Sequence, residues 1–211
     1  MSKYIKLYKS QNEYNMDSEI KATIPRLVTI EENGNVKISV INEHDYTIVA
    51  NSEINQELFN IAITSGWIDS QSEALTVYDC QKITTIEDVD FSSLLDFNSF
   101  ENFISITKIP DNLFKDTNFT TIKLPPSIQE IGKYSFENTK INTIEIPKSV
   151  TSIGNFCFEG SNVNKIYFYS EIPPTVGYGW VDKNVTIYVP KESINDYRDK
   201  FGEQLNIQII P

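Results

Sequence analysis

Residues 122–136 (IKLPPSIQEIGKYSF) are followed by a second copy of the same pattern at residues 144–158 (IEIPKSVTSIGNFCF). Both copies keep an apolar pair, a proline, a serine, an Ile-Gly pair and a phenylalanine at a constant offset of 22 residues. Weaker copies precede them, from Ser105 to Phe119 and, at an offset of 23 residues, from Ile83 to Phe91. Apolar residues that recur at a fixed period of about 20–29 residues indicate a solenoid, in which each repeat forms one turn.

The spacing within one repeat predicts its local structure. Ile144 and Ile146 flank Glu145, so we expect a short strand with both isoleucines directed inward and the glutamate outward. Pro147 should end the strand, because proline has no N–H to donate to a neighbouring strand. Gly154 should then make a turn that a residue with a Cβ would resist. One such unit cannot bury its apolar side alone, so the repeats are expected to stack.

The pattern I-x-[IL]-P-x-S-[IV]-x-x-I-G-x-x-x-F, read twice above, resembles the BspA-type (treponemal-type) leucine-rich repeat over roughly residues 83–168. The resemblance implies a non-enzymatic protein of surface adhesion and interaction, with no cofactor. The predicted fold is an α+β repeat protein: a short leucine-rich repeat solenoid with a helical N-terminal cap, a strand-helix-strand C-terminal cap and a small N-terminal β segment. The expected divisions are residues 1–45 (β attachment segment), 50–104 (helical cap and degenerate first repeat), 105–170 (repeats) and 171–211 (C-terminal cap).

The N-terminal segment has the pattern of short strands. Tyr4–Tyr8, Leu27–Ile30 and Val36–Val40 read as strands, and Asn33-Gly34 between the last two is a hairpin signal. Three such strands form a small sheet but hardly an independent core. We therefore expect residues 1–42 to be completed by another chain, as a homo-oligomer or hetero-oligomer.

The same segment resembles the start of virion proteins of tailed phages that infect gut bacteria. The resemblance rests on a Tyr-Ile-x-Leu-Tyr strand, Glu13-Tyr14-Asn15, Ile24-Pro25 and the hairpin. It implies attachment to other virion proteins through residues 1–42. It also agrees with an N-terminus that lacks the apolar core of a signal peptide. The expected location is a virion, and the alternative is a cell surface.

Two helices are predicted before the repeats, and a strand, a helix and a strand after them. The first helix spans Asn51 to Ser65 with Asn51 or Ser52 as its cap, and the second begins at Thr76, whose hydroxyl is placed to cap with Asp79. The C-terminal elements are listed by their expected ranges: strand 185–189, helix 191–201 and strand 207–210.

Composition excludes several classes of function. The 211-residue chain is 40% hydrophobic and 22% charged, as in ordinary folded domains, and carries a net charge of −11. Nucleic acid is not an expected partner, because phosphate binding relies on clustered Lys and Arg. No stretch approaches 18 consecutive apolar residues, so membrane insertion is not expected. Cys80 and Cys157 are too few for a disulfide framework, and Cys157 takes the slot of Ser135 one repeat earlier, as a buried thiol would.

No catalytic or metal site is predicted. His44 lies between Glu43 and Asp45, an arrangement that a general base would share, but no nucleophile or oxyanion donor can be placed beside it, and a solvated loop histidine fits better. A hydrolase that uses the acidic residues of the helical cap is the enzymatic alternative. Asp69-x-Gln71-x-Glu73 mimics the start of a calcium loop. That loop needs Gly and Glu at positions that Ala74 and Cys80 occupy here, so a capping loop is expected.

The remaining candidate is a column of outward residues on the predicted strands. Lys123, Glu145, Tyr167, Tyr169 and Tyr188 are expected on one exposed sheet face. Exposed tyrosines on a rigid sheet offer large contact area at low entropic cost, so we expect a protein or glycan ligand here. Alternatively, the tyrosines pack under the connection of residues 170–183, whose Tyr178 and Trp180 also need cover.

The function that these features predict is a non-enzymatic leucine-rich repeat interaction scaffold, as a structural or host-adhesion component of a phage virion (tail, fibre or head decoration). The alternative in the same class is a bacterial cell-surface adhesin.

Overall fold

The computed structural model describes residues 55–211 and, before them, the backbone of residues 26–30, 36–40 and 48–51. In this first part, β1 (Arg26–Ile30) and β2 (Val36–Val40) form an antiparallel hairpin, which confirms the two strands predicted there. β3 (Ile48–Asn51) pairs antiparallel with β4 (Ala74–Thr76), a pairing that the sequence analysis did not predict. The predicted strand Tyr4–Tyr8 and His44 lie outside the described residues.

Two short helices flank β4. α1 (Gln56–Thr64) precedes it and buries an apolar face, and α2 (Val77–Lys82) follows it. The predicted start of α1 is wrong, because Asn51 is held extended as the last residue of β3. Asn55 caps the helix instead: its Oδ1 accepts from the Leu58 N–H at 3.1 Å, and its φ of 50° is a left-handed value that asparagine tolerates. The predicted capping box of Thr76 with Asp79 is confirmed.

The repeats contribute strands to two parallel sheets. The sheet that we call the face sheet contains β7 (Thr143–Ile146), β9 (Lys165–Phe168), β11 (Thr186–Val189) and β12 (Asn206–Ile209). The back sheet contains β5 (Lys108–Ile109), β6 (Glu130–Ile131), β8 (Ser152–Ile153) and β10 (Thr175–Val176). Parallel sheets with interspersed helices make this an α+β repeat protein, as the sequence predicts. Pro147 ends β7 as expected.

Backbone hydrogen bonds join each repeat to the next, between residues 21 or 22 positions apart. The Phe114 N–H donates to the Ser135 carbonyl at 2.9 Å, that of Phe136 to Cys157 at 2.9 Å, and that of Phe158 to Trp180 at 3.0 Å. The stacking therefore continues beyond residue 170, where the sequence analysis ended the repeats. The sequence conceals this step, because the offset changes to 23 residues there, with Thr175 opposite Ser152 and Val176 opposite Ile153.

A continuous aromatic core runs through the repeats. Phe114, Phe136 and Phe158 are fully or almost fully buried, and their ring centroids follow one another at 5.3 Å. Trp180, also buried, adds its ring 6.4 Å from Phe158 and 5.2 Å from Phe201. Phe136 and Phe158 thus fill equivalent core positions, as predicted.

Gly154 excludes a Cβ, as predicted, but not because of a turn. It does not have the positive φ of a left-handed turn; instead, a Cβ added to it would lie 2.5 Å from the Lys133 nitrogen and 2.6 Å from the Gly132 carbonyl carbon. The glycine is needed because neighbouring repeats approach closely there. The left-handed positions fall two residues later, at Tyr134 (φ 56°) and Phe156 (φ 53°).

The chain ends with the predicted strand, helix and strand. β11 is followed by a 3-10 turn (Lys191–Ser193) and α3 (Ile194–Phe201), and β12 returns parallel to β11. A second 3-10 turn (Asn98–Asn102) precedes the first regular repeat and places Phe100 in the core. α3 buries Tyr197 and Phe201 against the last repeats, and the Tyr197 hydroxyl donates to the Ser170 carbonyl at 2.9 Å.

Candidate interaction face

One row of outward residues crosses the whole face sheet. Strand register places Glu145 opposite Tyr167, Tyr167 opposite Tyr188, and Tyr188 opposite Gln208. Their neighbours along β7, β9 and β11 are buried, as is Ile207 before Gln208, so side chains of this row point away from the core. We call Glu145, Tyr167, Tyr188 and Gln208 the face row.

The two tyrosines of the face row stack on each other. The ring centroids of Tyr167 and Tyr188 are 4.6 Å apart and their planes differ by 10°. This separation is close to the spacing of neighbouring strands, about 4.8 Å, so the register itself sets the stack. Both rings are half-buried, because each covers one side of the other while the edges remain open.

Tyr169 lies just beyond β9, beside the row, and is 46% exposed. Partial burial raises the pKa of its phenol. The carboxylate of Glu145 raises this pKa further, by its charge and by accepting the phenol's hydrogen bond. Glu145 and Tyr169 thus interact with each other next to the stacked rings.

Lys123 lies outside the face sheet. The segment around it makes an isolated bridge, between Ile122 and Phe97, and its Nζ lies 3.4 Å from Oε1 of Glu101. Both side chains are largely exposed. The 22-residue offset placed Lys123 in the same column as Glu145, but the structure puts it beside the sheet, paired with a residue of the preceding repeat.

The connection of residues 170–183 joins the back sheet, through β10. Its Trp180 enters the core against Phe158, and its Tyr178 is 79% exposed and makes a T-shaped contact with Phe156. Within residues 55–211, Trp180 and Tyr178 therefore contact aromatic rings other than those of Tyr167 and Tyr188.

Residues 84–178 match the model of the BspA type leucine rich repeat region, in six copies. This part of the chain is therefore similar to BspA-type leucine-rich repeats. The match extends beyond residues 105–170 on both sides, in agreement with the hydrogen bonds that continue to Trp180. Such repeats generally mediate protein interactions and are generally non-enzymatic. No curated protein matches the chain.

A second aromatic row runs along these repeats and was missed by the sequence analysis. Tyr134 and Phe156 stack at 5.3 Å with planes 13° apart, and Phe156 meets Tyr178 edge-on at 5.5 Å. The Nζ of Lys115 lies 5.7 Å from the Tyr134 ring. The signal was present in the sequence, because aromatic residues recur at positions 134, 156 and 178.

The residues considered for metal binding or reactivity have structural contacts. Oδ1 of Asp69 accepts from the Gln71 N–H at 2.7 Å and so forms a local turn. Cys157 is buried with its Sγ 3.4 Å from Oγ of Ser135, and burial raises its pKa to about 12. Burial and the charge of Asp79 raise the pKa of Cys80 to about 12 as well. Among the described residues no group of three or more His, Cys, Asp or Glu side chains is placed to hold a metal ion.

No helix in the described part of the chain has both the length and the apolar character needed to cross a membrane.

Proposed function

We propose that this protein is a non-enzymatic interaction scaffold that binds a protein ligand through the face row. In this account the BspA-type repeats form a solenoid, with α1 and α2 at one end and β11, α3 and β12 at the other. The stacked pair of Tyr167 and Tyr188 is the observation that carries the proposal. Two large amphipathic side chains, ordered by the register of the strands, lose little entropy on binding.

The geometry favours a protein ligand over a glycan. A sugar ring stacks on the open face of an aromatic ring, and Tyr167 and Tyr188 cover one face of each other. What they offer outward is ring edges and hydroxyl groups. The donor and acceptor pair of Tyr169 and Glu145 lies next to them. Aromatic residues surrounded by polar groups are typical of protein–protein interfaces.

A non-enzymatic role is supported by the kind of side chains in the face row. Carboxylate, phenol and amide groups are present, but no nucleophile is paired with a base there. The buried thiols of Cys80 and Cys157 are held neutral by burial, which is the opposite of an activated cysteine.

The proposed setting is a phage virion, in which residues 1–42 attach the protein to other virion proteins. In the described part of the N-terminal segment, β1 and β2 pair only with each other. A two-stranded hairpin is marginally stable alone in water, so completion by another chain would stabilise it. The alternative setting is a bacterial cell surface, where the same face would serve an adhesin.

The experiment compares the proteins that co-purify with the full chain from the cells or particles that contain it. A Tyr167→Ser/Tyr188→Ser double variant is set against Tyr178→Ser, which changes an exposed tyrosine on the other side of the repeats. A companion protein lost from the double variant and kept by the control supports the proposal, and its identity as a virion or envelope protein decides the setting. The proposal would be contradicted if the double variant co-purified with the same proteins as the unchanged chain. It would also be contradicted if only the double variant lost the ability to bind a glycan.

Attachment is tested separately. A chain that lacks residues 1–42 keeps β3 and its pairing with β4, so the repeats should remain folded. The virion setting requires that this chain is no longer incorporated into particles, whereas the full chain is. Equal incorporation of both would refute attachment through the N-terminal segment.

A further inference from the structure

β12 forms one edge of the face sheet. It pairs with β11 on one side, and among the described residues no strand pairs with its other side. The Ile210 N–H donates to the Val189 carbonyl at 2.9 Å. In a strand, the backbone N–H and C=O groups of successive residues point to opposite edges. The backbone groups of Gln208 therefore face β11, as the Ile210 N–H does. The backbone groups of Ile207 and Ile209 face the free edge.

This edge lacks the usual protection against strand pairing. Natural edge strands are guarded by charges, prolines, bulges or very short length. Residues 206–209 (NIQI) are uncharged, contain no proline and pair with β11 without a register shift. The edge strands of the back sheet, β5 and β10, have only two residues each. In a chain of net charge −11, an uncharged edge is the place where two copies meet with least repulsion.

The inward apolar side of the face sheet also remains open at β12. Val189 is fully buried and Ile207 is 6% exposed, but Ile209, opposite Val189, is 42% exposed. Removing the exposed side of a large aliphatic residue from water is favourable. A further strand against β12 would supply that cover.

We propose that two copies of this chain pair through β12, in antiparallel orientation, around a twofold axis at Gln208. In this register Ile207 stands opposite Ile209 of the second copy, and the outward-facing N–H and C=O groups of each such pair satisfy each other. The interface is self-complementary, as a twofold dimer requires. It does not depend on the ligand of the face row, and it uses neither residues 1–42 nor their attachment.

The pairing joins two face sheets into one. The two face rows become continuous, and Gln208 lies beside Gln208 of the second copy on the outward surface. A ligand with two equivalent sites would then meet both tyrosine pairs at once, which raises its overall affinity through effective concentration.

The test uses charge at the twofold axis of the full-length protein. Gln208→Lys and Gln208→Glu each place like charges side by side in the dimer, and Gln208 is exposed, so the fold should not change. Light scattering coupled to size exclusion should give the mass of two chains for the unchanged protein and one chain for each variant. An equimolar mixture of the two variants should recover the dimer.

A second variant probes the backbone. Ile209→Pro removes an N–H that faces the free edge, so it should abolish pairing while the bonds to β11 remain; Ile209→Val is its matched control and should still dimerise. Circular dichroism checks the fold of both. A monomeric unchanged protein, or an oligomer that persists in Gln208→Lys and Gln208→Glu, would overturn the proposal, as would the absence of a dimer in their mixture.

Discussion

Phe136 and Phe158 stack face to face, with ring centroids 5.3 Å apart and planes 11° apart, although 22 residues separate them. The Phe136 N–H donates to the Cys157 carbonyl at 2.9 Å, so the backbone and the core of one repeat are supported together by the next. In such an arrangement stability is shared between neighbouring repeats. A change at one core position should therefore weaken the contact on both of its sides.

Phe158→Ala should lower the free energy of unfolding by about 3–5 kcal/mol, because it removes a buried ring between Phe136 and Trp180. Urea denaturation measures the change. The control is Tyr178→Ala, which truncates a largely exposed ring and should alter stability by about 0.5 kcal/mol or less. A loss under about 1 kcal/mol for Phe158→Ala would contradict the stacked core.

Gly154→Ala should be more damaging than Gly66→Ala. At Gly154 the new Cβ would meet backbone atoms of Gly132 and Lys133, which move only if two repeats separate. At Gly66 nothing lies within 4 Å, and the change meets only the cost of a φ of +70°, about 1–2 kcal/mol. The melting temperatures of the two variants, each compared with that of the unchanged protein, show which substitution is more damaging. If Gly154→Ala is the milder change, the close approach of repeats is not what requires this glycine.

The fold was largely predictable because the decisive signals recur. Ile144, Ile146, Phe136 and Phe158 repeat at one period, and each copy supports the interpretation of the others. What occurs once was harder to predict. Because β3 pairs with β4, α1 is capped by Asn55 and not by Asn51. No local sequence pattern predicts a pairing between strands that are distant in sequence.

Alkaline pH should destabilise the protein through its buried thiols. Burial raises the pKa of Cys157 from an ordinary 9.0 to about 12, so the fold favours the neutral thiol. This contribution is complete below pH 9, where both states are protonated, and is lost as the pH rises from about 9 toward 12, where only the unfolded chain ionises. The free energy of unfolding should fall in that range by on the order of 1 kcal/mol per pH unit for each such thiol.

Cys157→Ser provides the control for this titration. Serine already occupies the equivalent buried position 135, and its hydroxyl does not ionise in this range. Urea unfolding between pH 8 and pH 10.5 should show a shallower fall for the variant, and the remaining fall has contributions from Cys80, Tyr169 and Tyr197, whose pKa values are also raised. Identical slopes in the two proteins would contradict a neutral buried thiol at position 157.

Calcium should not stabilise the protein. Oδ1 of Asp69 is already engaged by the Gln71 N–H, as expected for a loop that caps its own turn. A ligand that binds the native state raises the melting temperature by mass action. Thermal unfolding with millimolar calcium, compared with a chelator, should therefore give equal midpoints. A calcium-dependent rise that Asp69→Asn removes would show a metal site at this loop.

The candidate site was only partly predictable. Glu145, Tyr167 and Tyr188 follow from strand alternation, because the outward residues of neighbouring parallel strands lie side by side. Lys123 lies 22 residues before Glu145 but outside the sheet. The repeat period does not show whether the backbone of a given repeat pairs with the next strand. Tyr178 shows the reverse case, because its offset from Phe156 was visible in the sequence while its position on the other side of the repeats was not.

The most direct measurement of the central proposal is site-specific photocrosslinking from the face row. A photoreactive phenylalanine analogue replaces Tyr188 in one full-length chain and Tyr178, the exposed control on the other side, in a second. We expect the chain with the analogue at position 188 to capture one protein partner, and the Tyr167→Ser change to reduce that capture, whereas position 178 yields none of it. Equal capture from both positions, or none from position 188, would contradict binding through the face row.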